Sequence, residues 1–562
     1  MDTINIAEDP NLPAKGHPKG LYLLFTTEMW ERFNFYGMRA LLTLFLVNSL
    51  AFRESEASVI YGGFLGLCYL TPMLGGFVSD RFLGNRNCIL LGGIVMGIGQ
   101  LFLFFSASTF DTNFDMSKTA MYIALGTIIL GNGFFKPNIS SMVGQLYTKG
   151  DSRLDSAFTI FYMGINMGAF LGMYICPLLG DVVLDDGTRI VSAFKWGFFA
   201  ASMAMFFGSA LFYFLKEKYV VGPTGDAIGA KPSLNITKGA DEALKAQFSN
   251  TAIYCSIAAF FALVFIFRFA VDQNWIYSFI YGSGITLAGF IISDTSLSTI
   301  ERDRILALYI LAFFVMFFWA CFEQAGSSLT FIADYQTDRR LFGWNMPPSF
   351  VQNANSIFII VFALPFSWLW LFLQKRNLEP ISPVKQSFGL LLLAVGFLIM
   401  AFQVKGLGTT EKIGVSWLIL MYLFHTLGEL CLSPIGLSLV SKLAPLRFSS
   451  LLMGVWFIAN AAGYALAGTL GAALPPTGDK YTQAQAIGVN LQAVLDKTII
   501  PTAAQLSKLN ELRIPLEYPM FAGFVIHNLF EFFMLFVILP GVAAVLLFLL
   551  SGVLKKLMHE VR

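Results

Sequence analysis

Apolar runs of about twenty residues recur along the chain from residue 21 to residue 553, separated by short polar loops. A helix needs ~20 mostly apolar residues to cross a bilayer, because every backbone polar group must be satisfied within the segment. The pattern predicts fourteen such helices, over 21–50, 57–79, 88–107, 119–147, 155–179, 194–215, 251–268, 275–293, 304–333, 349–373, 387–404, 414–440, 449–473 and 525–553. The first 20 residues are polar, carry Pro10, Pro13 and Pro18, and lack the charged, apolar, small-residue order of a cleaved signal. A Lys/Gly/Pro-rich stretch over 216–250 precedes two plain apolar spans with almost no polar residues inside them. Setting those two aside leaves six helices plus six. The chain is therefore read as an N-terminal six-helix bundle over 1–216, a linker with two accessory helices over 217–303, and a C-terminal six-helix bundle over 304–562.

An internal repeat supports that division. The fourth span reads LGNGFFKPNISSMVGQLY from Leu130, and the span at 414–440 reads LGELCLSPIGLSLVSKLA from Leu427. Gly131-x5-Pro137 matches Gly428-x5-Pro434, and both prolines are expected to kink their helices. Repeated halves with interrupted helices point to a transporter whose substrate sits between them.

Composition agrees with a membrane protein. Of 562 residues, 56% are hydrophobic and 13% charged, about half the charged share of a soluble domain. A net charge of +2 suggests no nucleic-acid partner. The six cysteines lie in apolar runs without a CxxC pair or histidine cluster, so no metal site is expected. Lys and Arg concentrate in alternate loops, among them Arg81, Arg86, Lys216, Lys218, Lys375, Arg376, Lys555 and Lys556, which puts both termini in the cytoplasm. The long outer loop 474–524 has amphipathic patches around 484–511, suited to a short helix on the membrane surface.

Ionisable residues inside spans cost at least ~2.5 kcal/mol each, so their default meaning is a polar cavity with a function. The first span carries Glu28, Glu31, Arg32 and Arg39. At 100° per residue, Glu28, Arg32, Phe35 and Arg39 share one stripe, with Glu31 and Tyr36 on its shoulders. Lys136, Glu323, Glu429 and Glu531 add charges in later spans. Chain direction sets depth: Arg39 and Glu323 both lie late in outward-running spans, while Lys136 and Glu429 both lie past the middle of inward-running ones. Two gate pairs follow, Arg39 with Glu323 near the outer mouth and Lys136 with Glu429 nearer the inner mouth. Their alternate formation would give alternating access. Glu531, near the outer end of its span, is as apt to reach interfacial water. His425, one turn before Glu429, reads as a satisfied buried histidine rather than a proton relay.

The same residues resemble a known family. Glu28-Met-Trp-Glu31-Arg32-Phe33-Asn34-Phe35-Tyr36-Gly37 is similar to the ExxERFxYYG signature of proton-dependent oligopeptide transporters, a branch of the major facilitator superfamily. Phe161-Tyr162-Met-Gly-Ile-Asn166-Met-Gly168 resembles that family's FYxxINxG. Gly76-x3-Asp80-Arg81-x2-Gly84-x-Arg86 is similar to the superfamily's loop between its second and third helices. Gly133-Phe-Phe-Lys136-Pro137, Trp319-x3-Glu323-Gln324 and Gly428-Glu429 also match, and the two extra central spans resemble the fourteen-helix bacterial members. Four positions depart from the pattern. Phe35 replaces a tyrosine, Ala169 a serine and Ser356 a proline, while Gly62 stands where animal members carry histidine. Without that imidazole, proton sensing falls to carboxylates.

The resemblance implies a major facilitator fold and proton-coupled import of di- and tripeptides across the cytoplasmic (inner) membrane. It implies no cofactor beyond the proton gradient, no catalysis, and function as a monomer. It implies that Arg39 and Lys136 meet the substrate carboxylate and Glu429 its ammonium, which suits the strength of charge-assisted hydrogen bonds. Asn166 and Asn355 offer donors and acceptors to a peptide amide. Tyr36, Tyr69, Tyr162, Trp319 and Trp456 can build apolar pockets with polar tips. Proton coupling needs a carboxylate whose affinity for a proton changes with conformation. Glu28 and Glu31, beside Arg32 and Lys136, meet that need. The alternative cargo is another small solute, such as nitrate, a drug or a modified amino acid. An enzyme would need a nucleophile–base pair or ligand cluster, and neither HExxH nor GxSxG occurs. A channel would need a filter ring from several subunits.

Overall fold

The computed structural model describes residues 16–148, 151, 153–184, 187–223, 225–231, 248–445 and 448–559. The first six long helices are α1 (Lys19–Asn48), α2 (Glu54–Leu70) extended by α3 (Pro72–Val78) and a π turn (Ser79–Leu83), α4 (Asn85–Thr109), α5 (Phe114–Gln145), α6 (Leu154–Gly180) and α7 (Phe194–Tyr219). Two more follow, α8 (Asn250–Phe269) and α9 (Trp275–Ile292). The second set begins with α10 (Thr299–Phe322), a 3-10 turn (Glu323–Gly326) and α11 (Ser328–Tyr335). A second 3-10 turn (Pro348–Asn353) leads into α12 (Ala354–Lys375), and α13 (Ser382–Val404), α14 (Val415–Leu443) and α15 (Ser449–Gly471) follow. Three short helices, α16 (Gly478–Ala486), α17 (Leu491–Leu495) and α18 (Ala503–Glu511), precede the last long one, α19 (Leu529–Leu557). Successive long helices alternate in direction. The start of α1 and the end of α19 therefore lie at one end of the bundle, here the terminal end, and α16–α18 sit at the opposite, far end.

Among the described residues, twelve helical segments are long and apolar enough to cross a membrane by length and composition. The 30-residue α1 and 32-residue α5 fall short of that apolarity despite their length, because they carry the polar groups of the site. Three expectations change in detail. The span over 304–333 breaks at Glu323, where Ser327 (φ −126°, ψ −108°) leaves helical geometry before α11 restarts. The span over 57–79 has a joint at Thr71–Pro72, where a proline without an N–H opens the next helix. The outer segment is three helices round a core of Ala484, Val489, Leu491, Val494, Leu495, Leu509 and Ile514, not one helix lying on a membrane. Its apolar stripe is spent on itself. Pro137 lies inside an unbroken α5, and α14 likewise continues past residue 434, whose side chain lies outside the described residues. α12 also runs unbroken past Ser356, with Pro365 inside it.

Close packing explains one signature glycine, Gly168, and one departure from the pattern, Gly62. A Cβ on Gly168 would collide with the Met29 carbonyl oxygen, so the FYxxINxG glycine lets α6 lie directly on the charged turn of α1. At Gly62 a Cβ would stand 2.6 Å from the Tyr464 carbonyl oxygen and 2.8 Å from Gly468 Cα. That leaves no room for histidine, because α2 and α15 meet there backbone to backbone. Gly62→Ala should force the two helices apart and cost about 1–3 kcal/mol of the packing that holds them. A thermal-shift measurement in detergent would register it as a lowered Tm; an unchanged Tm would mean that the seam yields freely. Against this seam lies α9, whose buried Tyr277 donates its hydroxyl to the Val59 carbonyl of α2 at 2.9 Å. By contrast α8 buries none of its residues. At the terminal end Arg86 of the superfamily loop grips the last turn of α7 and the chain after it, donating to Glu217 (2.8 Å) and to the Ile228 carbonyl (2.6 Å).

Candidate functional site

The charged stripe of α1 is folded inward as a unit. Glu28, Glu31 and Arg32 are all buried, and Arg32 Nε lies 2.7 Å from Glu28 Oε1 and 2.9 Å from Glu31 Oε2. One guanidinium therefore serves two carboxylates, and the trio carries one net negative charge when both acids are ionised. Asn132 of α5 adds a hydrogen bond to Glu31 Oε1 at 3.4 Å, while Glu28 Oε2 finds no hydrogen-bond partner among the described residues. Lys136, one turn after Asn132, holds its ammonium 3.5 Å from the centre of the Tyr69 ring. Tyr69 thus meets the lysine first, and both are half-buried.

Two turns further along α1, Arg39 Nη1 donates to both oxygens of Glu323 at 3.0 Å. The guanidinium also lies 4.8 Å from the Tyr36 ring centre. Nine residues separate Arg39 from the far end of α1, and nine separate Lys136 from the terminal end of α5, about 14 Å in each case. Glu429 stands at the midpoint of α14, where Asn355 donates to its Oε2 at 3.1 Å and to Thr426 at 3.0 Å. Among the described residues no ion pair joins Lys136 to Glu429. The outer candidate pair is thus formed and the inner one open, in one conformation.

The remaining candidates divide. Trp319 packs on the rings of Phe322 and Tyr464, just before the gate glutamate. Tyr162 is exposed, and the half-buried Asn166 spends its side-chain amide on the Tyr162 carbonyl one turn back (2.9 Å). Trp456 is buried against Gly436 of α14, so it acts as packing here rather than as an open cavity wall. Glu531 sits in the first turn of α19, bonded to His527 at 2.9 Å and partly exposed, outside the group. His425 is buried among the rings of Phe397 and Phe322, but its Nε2 has no partner among the described residues, so it is not satisfied.

Several partners of the Arg39–Glu323 pair escaped the sequence. The buried Tyr61 hydroxyl donates to Glu323 Oε2 at 3.1 Å, so two helices of the first set hold one carboxylate of the second. Thr43 donates to the Gly326 carbonyl (3.0 Å), and Ser327 to Ser58 (2.8 Å). Beyond them Arg189 bridges Asp181 (3.0 Å) and Asp334 (2.7 Å), while Ser349 donates to Asp181 through both its amide (3.0 Å) and its hydroxyl (2.7 Å). All of these except Arg189–Asp181, which lies within the first set, join the two helix sets at the far end. In the sequence Arg189 is only one loop charge among several, and a tyrosine in an aromatic-rich helix carries no signal of its own.

Two repeated helix sets, closed at one end by buried ion pairs and carrying unpaired opposite charges across their interface, define a membrane transporter of the major facilitator type. A family model described as the POT family matches residues 86–483. The chain belongs to that family. It is 35% identical over 475 residues to a peptide transporter of Yersinia enterocolitica, YePEPT, spanning 81% of this chain and 88% of that one. An uncharacterized transporter of Bacillus subtilis, YclF, is 37% identical over 466 residues, with the same two coverages. Among solved structures, the crystal structure of a peptide transporter POT in complex with sulfate superposes with a TM-score of 0.71 at 28% identity, covering 97% of each chain.

Proposed function

We propose that this protein imports di- and tripeptides together with protons, as a monomer, through alternating access of two six-helix bundles. The division of the chain into 1–216, 217–303 and 304–562 is part of that reading. The observation that carries it is the opposed charge across the interface: Lys136 on one helix set and Glu429 on the other, unpaired with each other. A peptide is a zwitterion with fixed charged ends and variable side chains. A site for many sequences must hold the ends and the backbone amide while leaving the middle loose. Arg39 and Lys136 suit the carboxylate, Glu429 with Asn355 the ammonium, and Asn166 and Asn355 the amide. Tyr36, Tyr69, Tyr162 and Trp319 supply aromatic walls for side chains. Trp456 joins them when α14 and α15 shift.

The two gates set the order of events. With Arg39 on Glu323 the far end is shut, and with Lys136 and Glu429 apart the terminal end is free to release cargo. Loop charge supports a cytoplasmic terminal end, and on that reading this conformation faces inward across the inner membrane. Reconstituted protein should accumulate a labelled dipeptide only when the outside is more acidic. Unlabelled di- and tripeptides of varied sequence should compete, and nitrate and free amino acids should not. Competition by nitrate or by a drug alone would replace the peptide reading with the other cargo.

A further inference from the structure

The segment between α15 and α19 has no part in the scheme above, yet it bridges the two helix sets at the far end. Both its ends belong to the second helix set, and its own core makes it a compact unit. It is anchored to that set where the Gly478 amide donates to Gln336 Oε1 at 2.9 Å. One of its side chains crosses to the first set. Lys480 Nζ lies 2.9 Å from Glu54 Oε1 in the first turn of α2, with side-chain exposures of 10% and 16%. A pair so shielded from water is screened far less than a surface pair. It spans the same boundary as Arg39–Glu323 and Arg189–Asp334, but from an element outside the fourteen long helices.

We propose that segment 474–524 is a latch on the far-end gate, with Lys480 as its positioning residue, clamping α2 through Glu54 whenever the far end is shut. The latch rests on the alternating-access reading. Opening the far end carries α2 away from α15, and so carries Glu54 away from a lysine fixed to the second set.

Asp479 gives the latch a sensitivity to acid. Its carboxylate lies 3.8 Å from Lys480 and accepts a hydrogen bond from Thr477 Oγ1 at 2.5 Å. Burial above all raises its pKa to about 6; Lys480 on its own helix opposes the rise, while Glu54 from α2 and Asp334 from α11 add to it. An unlatched Asp479 returns to water and to a pKa near ~3.9. The latched form then binds the proton more tightly, so it gains stability as pH falls through about 6 and gains nothing further below about 4.

Spin labels at Thr112→Cys and Lys412→Cys, exposed positions in far-end loops of the two sets, report the opening by pulsed electron resonance in nanodiscs. Cys255→Ser removes the exposed native thiol. Lys480→Met or Glu54→Gln should each raise the open-to-closed ratio about tenfold. The double variant should do no more than either alone, because the two residues form one interaction. Lys480→Arg should stay closed. In the otherwise unaltered protein the ratio should fall about tenfold from pH 7 to pH 5, and Asp479→Asn should abolish that change. Unchanged distances in Lys480→Met, or strictly additive effects in the double variant, would overturn the latch. Glu323→Gln separates the two readings. If it opens the far end while Lys480→Met does not, the latch alone fails; if neither opens it, alternating access fails and the latch with it.

Discussion

Replacing Glu28 and Glu31 together by glutamine should abolish uphill peptide accumulation while leaving peptide exchange intact. The argument is a count of charge. Arg32 neutralises one of its two carboxylate partners, and Lys136, one turn beyond Asn132, stands in for the other. If Lys136 moves toward a substrate carboxylate or toward Glu429, the trio keeps an uncompensated negative charge in a water-poor site. A proton on Glu28 or Glu31 restores balance, and Glu28 Oε2, without a hydrogen-bond partner among the described residues, is an open place for it. Cargo and proton are then linked, because the cation that grips the cargo is the one the proton replaces. With two glutamines the demand disappears. A one-to-one symporter converts each pH unit into up to about tenfold accumulation, since one unit is worth about 1.4 kcal/mol. The double variant should bring that ratio to one. Counterflow of labelled against unlabelled dipeptide should continue at near the parent rate, which also shows that the protein is folded despite a less-paired Arg32. Accumulation that still tracked the pH gradient would remove both glutamates from proton coupling.

Much of this arrangement is legible in the sequence because the bilayer leaves few choices. Runs of twenty apolar residues have to be helices, and a 100° stripe of charges on α1 has to face inward. Depth along two spans that run the same way then suffices to bring Arg39 opposite Glu323. The break after Glu323 was hidden by an apolar run that continues past it, although Gly326-Ser327-Ser328 marks a weak point in any helix. Tyr61 and Asn132 were hidden for a different reason. Each is neutral and sits one residue from a glycine in an aromatic or small-residue stretch, so neither stands out as a costly burial. The outer segment shows the limit of amphipathicity: a stripe announces that a face is covered but not by what. Here Leu509 and Ile514 cover their own neighbours rather than lipid. Gly62 is the converse case. Compared with the animal members that carry histidine there, it looks like a loss of chemistry, yet its meaning is the backbone contact with Tyr464 and Gly468.

Glu429→Gln should weaken peptides with a free amino terminus by about 10–150-fold while changing the affinity for their N-acetylated forms less than threefold. A hydrogen bond to a charged group contributes about 1.5–3 kcal/mol, which sets the upper range of that loss. The carboxylate stands at mid-helix with Asn355 as its hydrogen-bond donor and forms no ion pair among the described residues, so its charge is available to an incoming ammonium. Glutamine keeps the size and one oxygen for Asn355 but not the charge. The parent protein should therefore prefer Ala-Ala over N-acetyl-Ala-Ala strongly, and the variant should hold them about equally. Inhibition constants from competition against a labelled dipeptide in proteoliposomes measure both. The comparison separates recognition from gating. A residue that only helps close the terminal end would move both peptides together, whatever their amino terminus. Equal weakening of the two would thus leave Glu429 as a gate partner for Lys136 and return the ammonium site to another acid, with Glu323 the next candidate once Arg39 lets it go.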